Sequence, residues 1–431
     1  LWAAAGELAG PAGADVEHEI ALRCGHVSAL AHAGQIAAAV RARRAAVDRA
    51  RGTGSLVAAL TSYDAPVSWT IRQDVAVDAD LVGLLDEALG DSGLDSATRC
   101  RLLVALAFEL ETYDDVRVQR LTAEAMELSA GLGDPLLRCV VLNARSFAAL
   151  GPDLRHTLEG LGRELLETAE RAGLAGYRSE GHHLLFMLAC ERFDLDAAQR
   201  HADAAIAAAS GGQLGVTLAW AAIFAALRAV VAGDFARAEQ GYAAVQAAME
   251  AVGAINADTL GLFGLFAVRH AQGRLDELAP AFAALQDRIP EAVTDPTARA
   301  LVAAGRVDEA RALWRPDLHP PRTYYWLLFM GLRAEVAVAL ADRSVAAACL
   351  AELEPWADQL AGLGSGTVTL GPVAQLLGEL GGVLGRTAEE RRAHFARARA
   401  VARRLGSPHW EQRAVAALAE LDRVSAAPRE L

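Results

Sequence analysis

Short polar turns recur at intervals of about 40 residues between Tyr113 and Leu275, which is the spacing of a repeated pair of helices. Each turn ends an apolar helix and is followed by a second helix with small residues at fixed spacing. A single helical hairpin cannot bury its apolar face, so hairpins in series must stack on one another. The turns lie at Tyr113-Asp114, Pro152-Asp153, Phe193-Asp194, Gly233-Asp234 and Gly273-Arg274.

The clearest repeat runs from Leu218 to Val252. Its first helix carries Trp220, Phe224 and Leu227 on one apolar stripe. After Gly233, the second helix has an aromatic residue, an alanine and an aromatic residue at offsets 2, 5 and 9, which resembles the second helix of a tetratricopeptide repeat. We therefore expect an all-α fold, a right-handed superhelical solenoid of about ten tetratricopeptide-like hairpins.

Two stretches interrupt the repeat. The first contains proline and β-branched residues and is predicted to be an irregular crossing, while the second is a glycine-rich loop between helices. Such a loop can cradle a phosphate, but this one follows no strand and has no lysine, which favours a structural linker. Pro290 and Pro296 are expected to bracket a short helix. The predicted segments are N-terminal hairpins at 1–63, the crossing at 64–80, a central array at 81–315, and C-terminal hairpins at 316–431 with the glycine-rich loop at 362–372.

All 41 basic residues are arginine, and the chain has no lysine. It therefore lacks a phosphate-binding Walker lysine, a Schiff-base lysine and a Ser–Lys dyad. The sequence also has no seryl nucleophile elbow and no zincin helix. We expect a protein that is not an enzyme, does not hydrolyse ATP and needs no cofactor.

The formal net charge is −13, which argues against broad contact with nucleic acid or with anionic lipid. The arginines between Arg391 and Arg404 could touch DNA phosphates. They spread around more than one helix face and lie close to Glu389 and Glu390, so a solvated outer helix is favoured. No direct nucleic-acid contact is expected.

The five cysteines are dispersed, odd in number and mostly within apolar runs, which favours free thiols in a cytoplasmic protein over disulfides or metal ligands. No secretory signal opens the chain. The most apolar run, Leu214–Leu227, is shorter than a bilayer requires, so a membrane location is not expected. The cysteines are Cys24, Cys100, Cys139, Cys190 and Cys349.

Several longer phrases resemble one family. Together they are similar to the C-terminal tetratricopeptide-like domain of large bacterial transcriptional regulators built around a STAND-type ATPase, including LuxR-type, maltose-regulator-like and antibiotic-regulator-like proteins. The phrases are Ala107–Arg145, Glu191–Ala198 (ERFDLDAA), GDFARAEQGYAAV from Gly233, QGRLDELAPAFAAL from Gln272, Thr367–Arg386 and Ser407–Leu421.

The resemblance implies a sensor domain that binds a small effector or a protein or peptide partner and controls an upstream ATPase. The output of such regulators is a DNA-binding module, or in some a nucleotide cyclase. The chain begins Leu1-Trp2 without methionine, so we expect it to be a piece of a longer protein that contains these parts. The alternative is a stand-alone protein- or peptide-binding scaffold with no small ligand.

Aromatic residues make up only 6% of the chain, so their grouping suggests where a ligand binds. First helices of successive hairpins are expected to line the concave groove of the solenoid, where aromatic rings and arginines suit a small polar or aromatic effector or a peptide. The alternative is that most of these rings are core spacers. The groove candidates are Trp69, Arg72, Arg145, His182, Trp220, Phe263, Tyr324 and Trp326.

His182, Phe186 and Cys190 share a helix face, which raises the question of a metal site. No second pair of ligands follows at zinc spacing. Histidines that pack against helices or line the groove are therefore favoured, and no metal site is expected.

Overall fold

The computed structural model of the chain describes residues 16–68, 77–111, 113–209, 213–251 and 257–426. These residues form 21 α-helices, and the one bridged backbone pair found among them joins Leu360 to Pro372. Consecutive helices pack against each other as hairpins, which confirms the predicted all-α class and the helical repeat.

The helices are α1 (Val16–His32), α2 (Ile36–Ala50), α3 (Leu56–Leu60), α4 (Ala79–Leu89), α5 (Ser96–Glu109), α6 (Asp115–Ser129), α7 (Pro135–Ala148), α8 (Leu158–Ala172), α9 (Ala175–Glu191), α10 (Leu195–Ala208), α11 (Gln213–Ala232), α12 (Phe235–Ala251), α13 (Ala257–Gln272), α14 (Ala279–Ala283), α15 (Pro290–Ala303), α16 (Val307–Leu313), α17 (Trp326–Ala339), α18 (Arg343–Leu353), α19 (Val373–Leu384), α20 (Ala388–Arg404) and α21 (Pro408–Ala426). Short 3-10 helices lie at Arg155–Thr157, Leu275–Leu278, Glu354–Trp356 and Leu363–Ser365.

The turn between α11 and α12 shows why the polar signature ends a helix. Gly233 has a left-handed backbone, with φ of 79°. The amides of Gly233 and Asp234 donate to the carbonyls of Val230 and Ala229 at 3.0 and 2.9 Å, which satisfies the last carbonyls of α11. The Asp234 carboxylate then accepts from the Arg237 amide at 3.2 Å and caps α12. One dipeptide thus ends one helix and begins the next.

Two other turns have a left-handed residue that is not glycine. Phe193 has φ of 63° and Ala341 has φ of 55°. In each case the following aspartate begins the next helical segment, as at Gly233-Asp234. The predicted Phe193-Asp194 turn therefore exists without glycine, because the hydrogen bonds of the turn set its conformation.

The chain divides into two compact units. Unit 1 comprises Leu1–Ala189 and Leu195–Ala219, and unit 2 comprises Cys190–Asp194 and Trp220–Leu431. In unit 1 the N-terminal helices bury Ile20, Leu60 and Leu102 completely. In unit 2 the rings of Phe266 and Phe282 meet edge to face, with their centroids 5.6 Å apart. Each unit therefore has an apolar core of its own.

Two local expectations are wrong. Pro296 does not bound a short helix but lies inside the 14-residue α15, where buried neighbours from α17 hold the helix together despite the missing amide. The apolar run at Leu214–Leu227 is not shorter than a bilayer requires, because it is part of the helix α11, which continues to Ala232. Its window Gly215–Ala232 is long and apolar enough to cross a membrane, but half of it is buried inside the protein, as in a core helix.

Candidate functional site

A stretch without helix, residues 62–68, forms a largely buried segment of unit 1 just after α3. Ser62, Ala65, Pro66 and Val67 are buried, and the other three residues are half-buried. The exposed fraction is 4% for Ala65 and 2% for Val67. Among the described residues, none of 63–68 makes a backbone–backbone hydrogen bond. Buried backbone groups need partners, so side chains of the helices must supply them.

Asn143, on α7, binds the backbone of Val67 at two points. Its Oδ1 accepts from the Val67 amide at 2.8 Å, and its Nδ2 donates to the Val67 carbonyl at 2.9 Å. The Asn143 side chain is buried, with 1% exposed. A carboxamide has the same donor and acceptor as a peptide group, so this pairing copies the two bonds exchanged between paired residues of antiparallel strands.

Helix α9 holds the segment on either side of Val67. The Tyr177 hydroxyl donates to the Asp64 carbonyl at 2.7 Å, and the Ser68 hydroxyl donates to the Glu180 carboxylate. Burial raises the pKa of Tyr177 well above its usual value, so its hydroxyl stays a neutral donor. Tyr177 and Glu180 are three residues apart and share a face of α9.

The side chain of Asp64 turns the other way, toward α1. It accepts from the Ser28 hydroxyl at 2.7 Å, and His32 Nε2 lies 3.2 Å away. Burial acts to raise the pKa of Asp64, but the hydrogen bonds from His32 and Ser28 outweigh it and lower the pKa. Helix α1 thus holds the side chain of Asp64 while α9 holds its carbonyl.

A small cleft lies beside the segment and encloses about 20 Å³, which is room for about one water molecule. It is lined by Arg43, Tyr63 and Arg101 among others. Arg43 is 3% exposed and forms an ion pair with Glu109, with Nη1 and Oε1 2.6 Å apart. Its Nη2 has no hydrogen-bond partner among the described residues. A buried guanidinium nitrogen in this position favours an acceptor in the cleft.

Two of the predicted groove residues lie in unit 1. Arg145 Nη1 donates to the Gln119 carbonyl at 3.1 Å and to the Thr122 hydroxyl at 3.2 Å, so it joins α7 to α6. His182 lies with its Nδ1 3.3 Å from Nδ1 of His201 on α10. Both side chains are half-buried, and neither hydrogen bond involves the buried segment.

The predicted residues of unit 2 lie mainly in its interior. Trp220, Phe263 and Trp326 are 2%, 7% and 3% exposed. Tyr324 is half-buried, and its hydroxyl donates to the Ser365 carbonyl at 2.7 Å. The remaining candidates, Trp69 and Arg72, lie outside the described residues. The six candidates that the structure describes are thus divided between unit 1 and unit 2.

The glycine-rich loop at 362–372 is a packed part of unit 2. Tyr242 donates to the Thr367 carbonyl at 2.8 Å, and Val368 and Leu370 are buried. Gly371 has φ of 102°, and a Cβ on it would lie 2.7 Å from the Trp410 indole nitrogen. The loop backbone therefore faces side chains of its own unit, which agrees with a structural linker.

The arginine run of α20 is paired within the chain. Arg392 lies 2.5 Å from Asp422, Arg399 lies 3.3 Å from Glu411, and Arg397 pairs with Asp358. These partners agree with a solvated outer helix. Cys24, Cys100, Cys139 and Cys349 form no disulfide, and Cys190 is buried. Among the described residues, no three His, Cys, Asp or Glu side chains stand together as a metal site would require.

The residues that hold the buried segment were not among the predicted site residues. Asn143 is one of only two asparagines in the chain, and it interrupts the apolar run VVLNA of α7. A lone carboxamide in a buried helix needs partners from elsewhere, which is the signal that could have found it. Tyr177 and Glu180 precede His182 on the same helix.

No protein-family model and no curated protein sequence matches the chain. Among solved structures, the fold is similar to that of a Rap protein complexed with competence and sporulation factor, with a TM-score of 0.50 and 12% sequence identity. The match covers 95% of this chain and 99% of that chain. That protein is also a tetratricopeptide-like helical repeat, and at this identity the likeness concerns the fold alone.

Proposed function

We propose that the protein is a non-catalytic helical-repeat scaffold that binds a partner as an extended peptide. The peptide binds on α7 and α9 of unit 1, each of which is the first helix of its hairpin. The observation that carries this proposal is the two-point hydrogen bonding of the Val67 backbone by Asn143. A side chain that forms hydrogen bonds with both the amide and the carbonyl of one residue recognises an extended backbone, whatever the sequence of the peptide.

The cavities favour a peptide over a small effector. Small-molecule sites usually enclose about 300–1,000 Å³. The cleft beside residues 62–68 encloses only about 20 Å³, and the cleft beside Trp410 and Arg413 encloses no space of its own, so neither has the volume of such a site. An extended peptide needs no closed chamber, because it satisfies its backbone along a surface.

The resemblance of the sequence to STAND-type regulators supplies the setting for this proposal. In that setting the array is the sensor of a cytoplasmic transcriptional regulator, and its occupancy controls an upstream ATPase and a DNA-binding module. The stand-alone scaffold remains the second form of the same proposal. Reading the gene on both sides of this segment tests the setting, since a Walker motif upstream and a helix-turn-helix downstream distinguish the two.

Peptide display against the purified protein tests the binding function. Selected peptides should lose about tenfold or more in affinity when Asn143 is replaced with alanine. The substitution removes two uncharged hydrogen bonds in a buried site, and such a loss has an effect of this order. Ser146→Ala is the matched control, because Ser146 is buried on the same helix and its hydroxyl has no hydrogen-bond partner among the described residues. Peptides that bind equally well to Asn143→Ala, or hits found only among small metabolites, would contradict the proposal.

A further inference from the structure

We infer that residues 62–68 are an internal ligand of the peptide site, and that an external extended peptide must compete with them for the same hydrogen bonds. This inference rests on the proposed function. The hydrogen bonds from Asn143 and Tyr177 go to the backbone of Val67 and Asp64, which any peptide also has. The site is therefore already occupied by a piece of this chain.

The contacts of the segment define the class of external ligand. The residue at the Val67 position must have an amide hydrogen, so proline is excluded there. Its side chain must be apolar and of moderate size, because Val67 is 2% exposed. Pro66 fixes its own φ and favours an extended residue before it, which prepares the segment for the site.

The ends of the segment add side-chain selectivity. An acidic residue three positions before Val67 meets Ser28 and His32, as Asp64 does. A small residue fits at Ala65, which packs with Ala31 and Ala39. A hydroxyl after Val67 reaches Glu180, as Ser68 does. The ligand is thus an extended peptide with an acidic residue, a small residue, proline, an aliphatic residue and a hydroxyl residue in series.

The internal ligand has the advantage of its covalent connection to the site. A short tether gives an effective concentration on the order of millimolar. The apparent affinity for an external peptide is therefore the intrinsic affinity multiplied by the fraction of sites that the segment leaves free. Weakening the segment alone should raise the affinity for an external peptide. Removing Asn143 should lower it, because both ligands use that side chain.

The experiment uses a labelled peptide with the sequence of residues 61–68, TSYDAPVS, and fluorescence anisotropy with the whole chain. The variants Ser68→Ala and Val67→Pro weaken only the internal ligand, the first mildly and the second by removing an amide. A peptide with proline in place of the valine is the control. Circular dichroism selects the variants that are folded.

We expect the peptide to bind Val67→Pro about tenfold or more tightly than the unmodified chain, with Ser68→Ala between them. Adding Asn143→Ala to either variant should remove the gain, and the control peptide should bind none of them. In the unmodified chain, excess peptide should speed hydrogen exchange at the Val67 amide as the segment leaves.

Two other outcomes overturn the inference, and they differ from each other. Equal affinity for the unmodified chain and for both variants, with a loss at Asn143→Ala, would show a peptide site that the segment does not block. The proposed function would then stand. Absence of binding to every folded variant, for this peptide and for displayed peptides, would refute both.

Discussion

Replacing Asn143 with alanine should destabilise unit 1, because it leaves two buried backbone groups of Val67 without partners. The side chain is 1% exposed, and its two hydrogen bonds measure 2.8 and 2.9 Å. Residues 63–68 make no backbone–backbone hydrogen bond among the described residues, so no backbone group there substitutes for the Asn143 side chain.

The size of the effect follows from the fate of the segment. Each orphaned buried group costs about 1–3 kcal/mol, so the loss of both partners should lower the free energy of unfolding by about 2–6 kcal/mol if the segment stays in place. If the segment undocks instead, water satisfies its backbone, and the loss is limited to the free energy that held it there. Undocking also exposes Val67 and Ala65, which are now buried.

Urea denaturation gives the loss in the free energy of unfolding, and hydrogen exchange at the Val67 amide shows which of the two outcomes occurs. The matched variant Ser146→Ala should stay within about 0.5 kcal/mol of the unmodified chain, because its hydroxyl makes no hydrogen bond to lose. Equal stability and equal protection of Val67 in Asn143→Ala would refute the reasoning.

Three further predictions follow from turns, titration and composition. Gly233→Val should lower the free energy of unfolding by about 1–3 kcal/mol, because φ of 79° is strained for a β-branched residue. The control variant Gly233→Asn should lose less stability. A melting temperature unchanged by valine would show that the turn tolerates the substitution. Burial lowers the pKa of His409 to about 4. The unfolded chain therefore binds the proton first, so stability should fall as the pH drops from about 6.5 toward 4, by about 1 kcal/mol after solvent screening; His409→Gln should flatten that slope in denaturation curves, and an identical slope would contradict the assignment. The purified chain should not hydrolyse ATP, since its sequence has no lysine and the residues that the structure describes form no strand–loop–helix phosphate site. Phosphate release above a buffer blank would show otherwise.

The repeat could be predicted because its signals are local. The Gly233-Asp234 turn depends on the left-handed preference of glycine and on an aspartate cap, and both can be read from two adjacent residues. The predicted helix boundary at Pro296 was wrong, because the residues that keep α15 helical there belong to another helix. The interruption after residue 63 was visible as a loss of helical periodicity. Its burial was not, because that depends on residues more than 70 positions away.

The candidate site was harder to predict for a physical reason. Placing a residue on a first helix does not determine which way its side chain points. Large rings gain most by leaving water, so Trp220 and Trp326 are buried in unit 2. The site prediction relied on aromatic and charged side chains, and Asn143 has neither property. Its role follows from the hydrogen-bond partners that a buried carboxamide needs, which residue type alone does not show.

The buried segment also affects how unit 1 folds. In a repeat array, contacts join neighbouring repeats, so stability is close to a sum of local contributions and the ends can unfold first. Here Asn143 bonds to a residue 76 positions away, and Tyr177 bonds to one 113 positions away. Such long loops close late, after the helices that offer the partners have formed. We therefore expect the N-terminal hairpins and the helices α7 and α9 to melt together in one cooperative transition, in place of the stepwise fraying of a simple repeat.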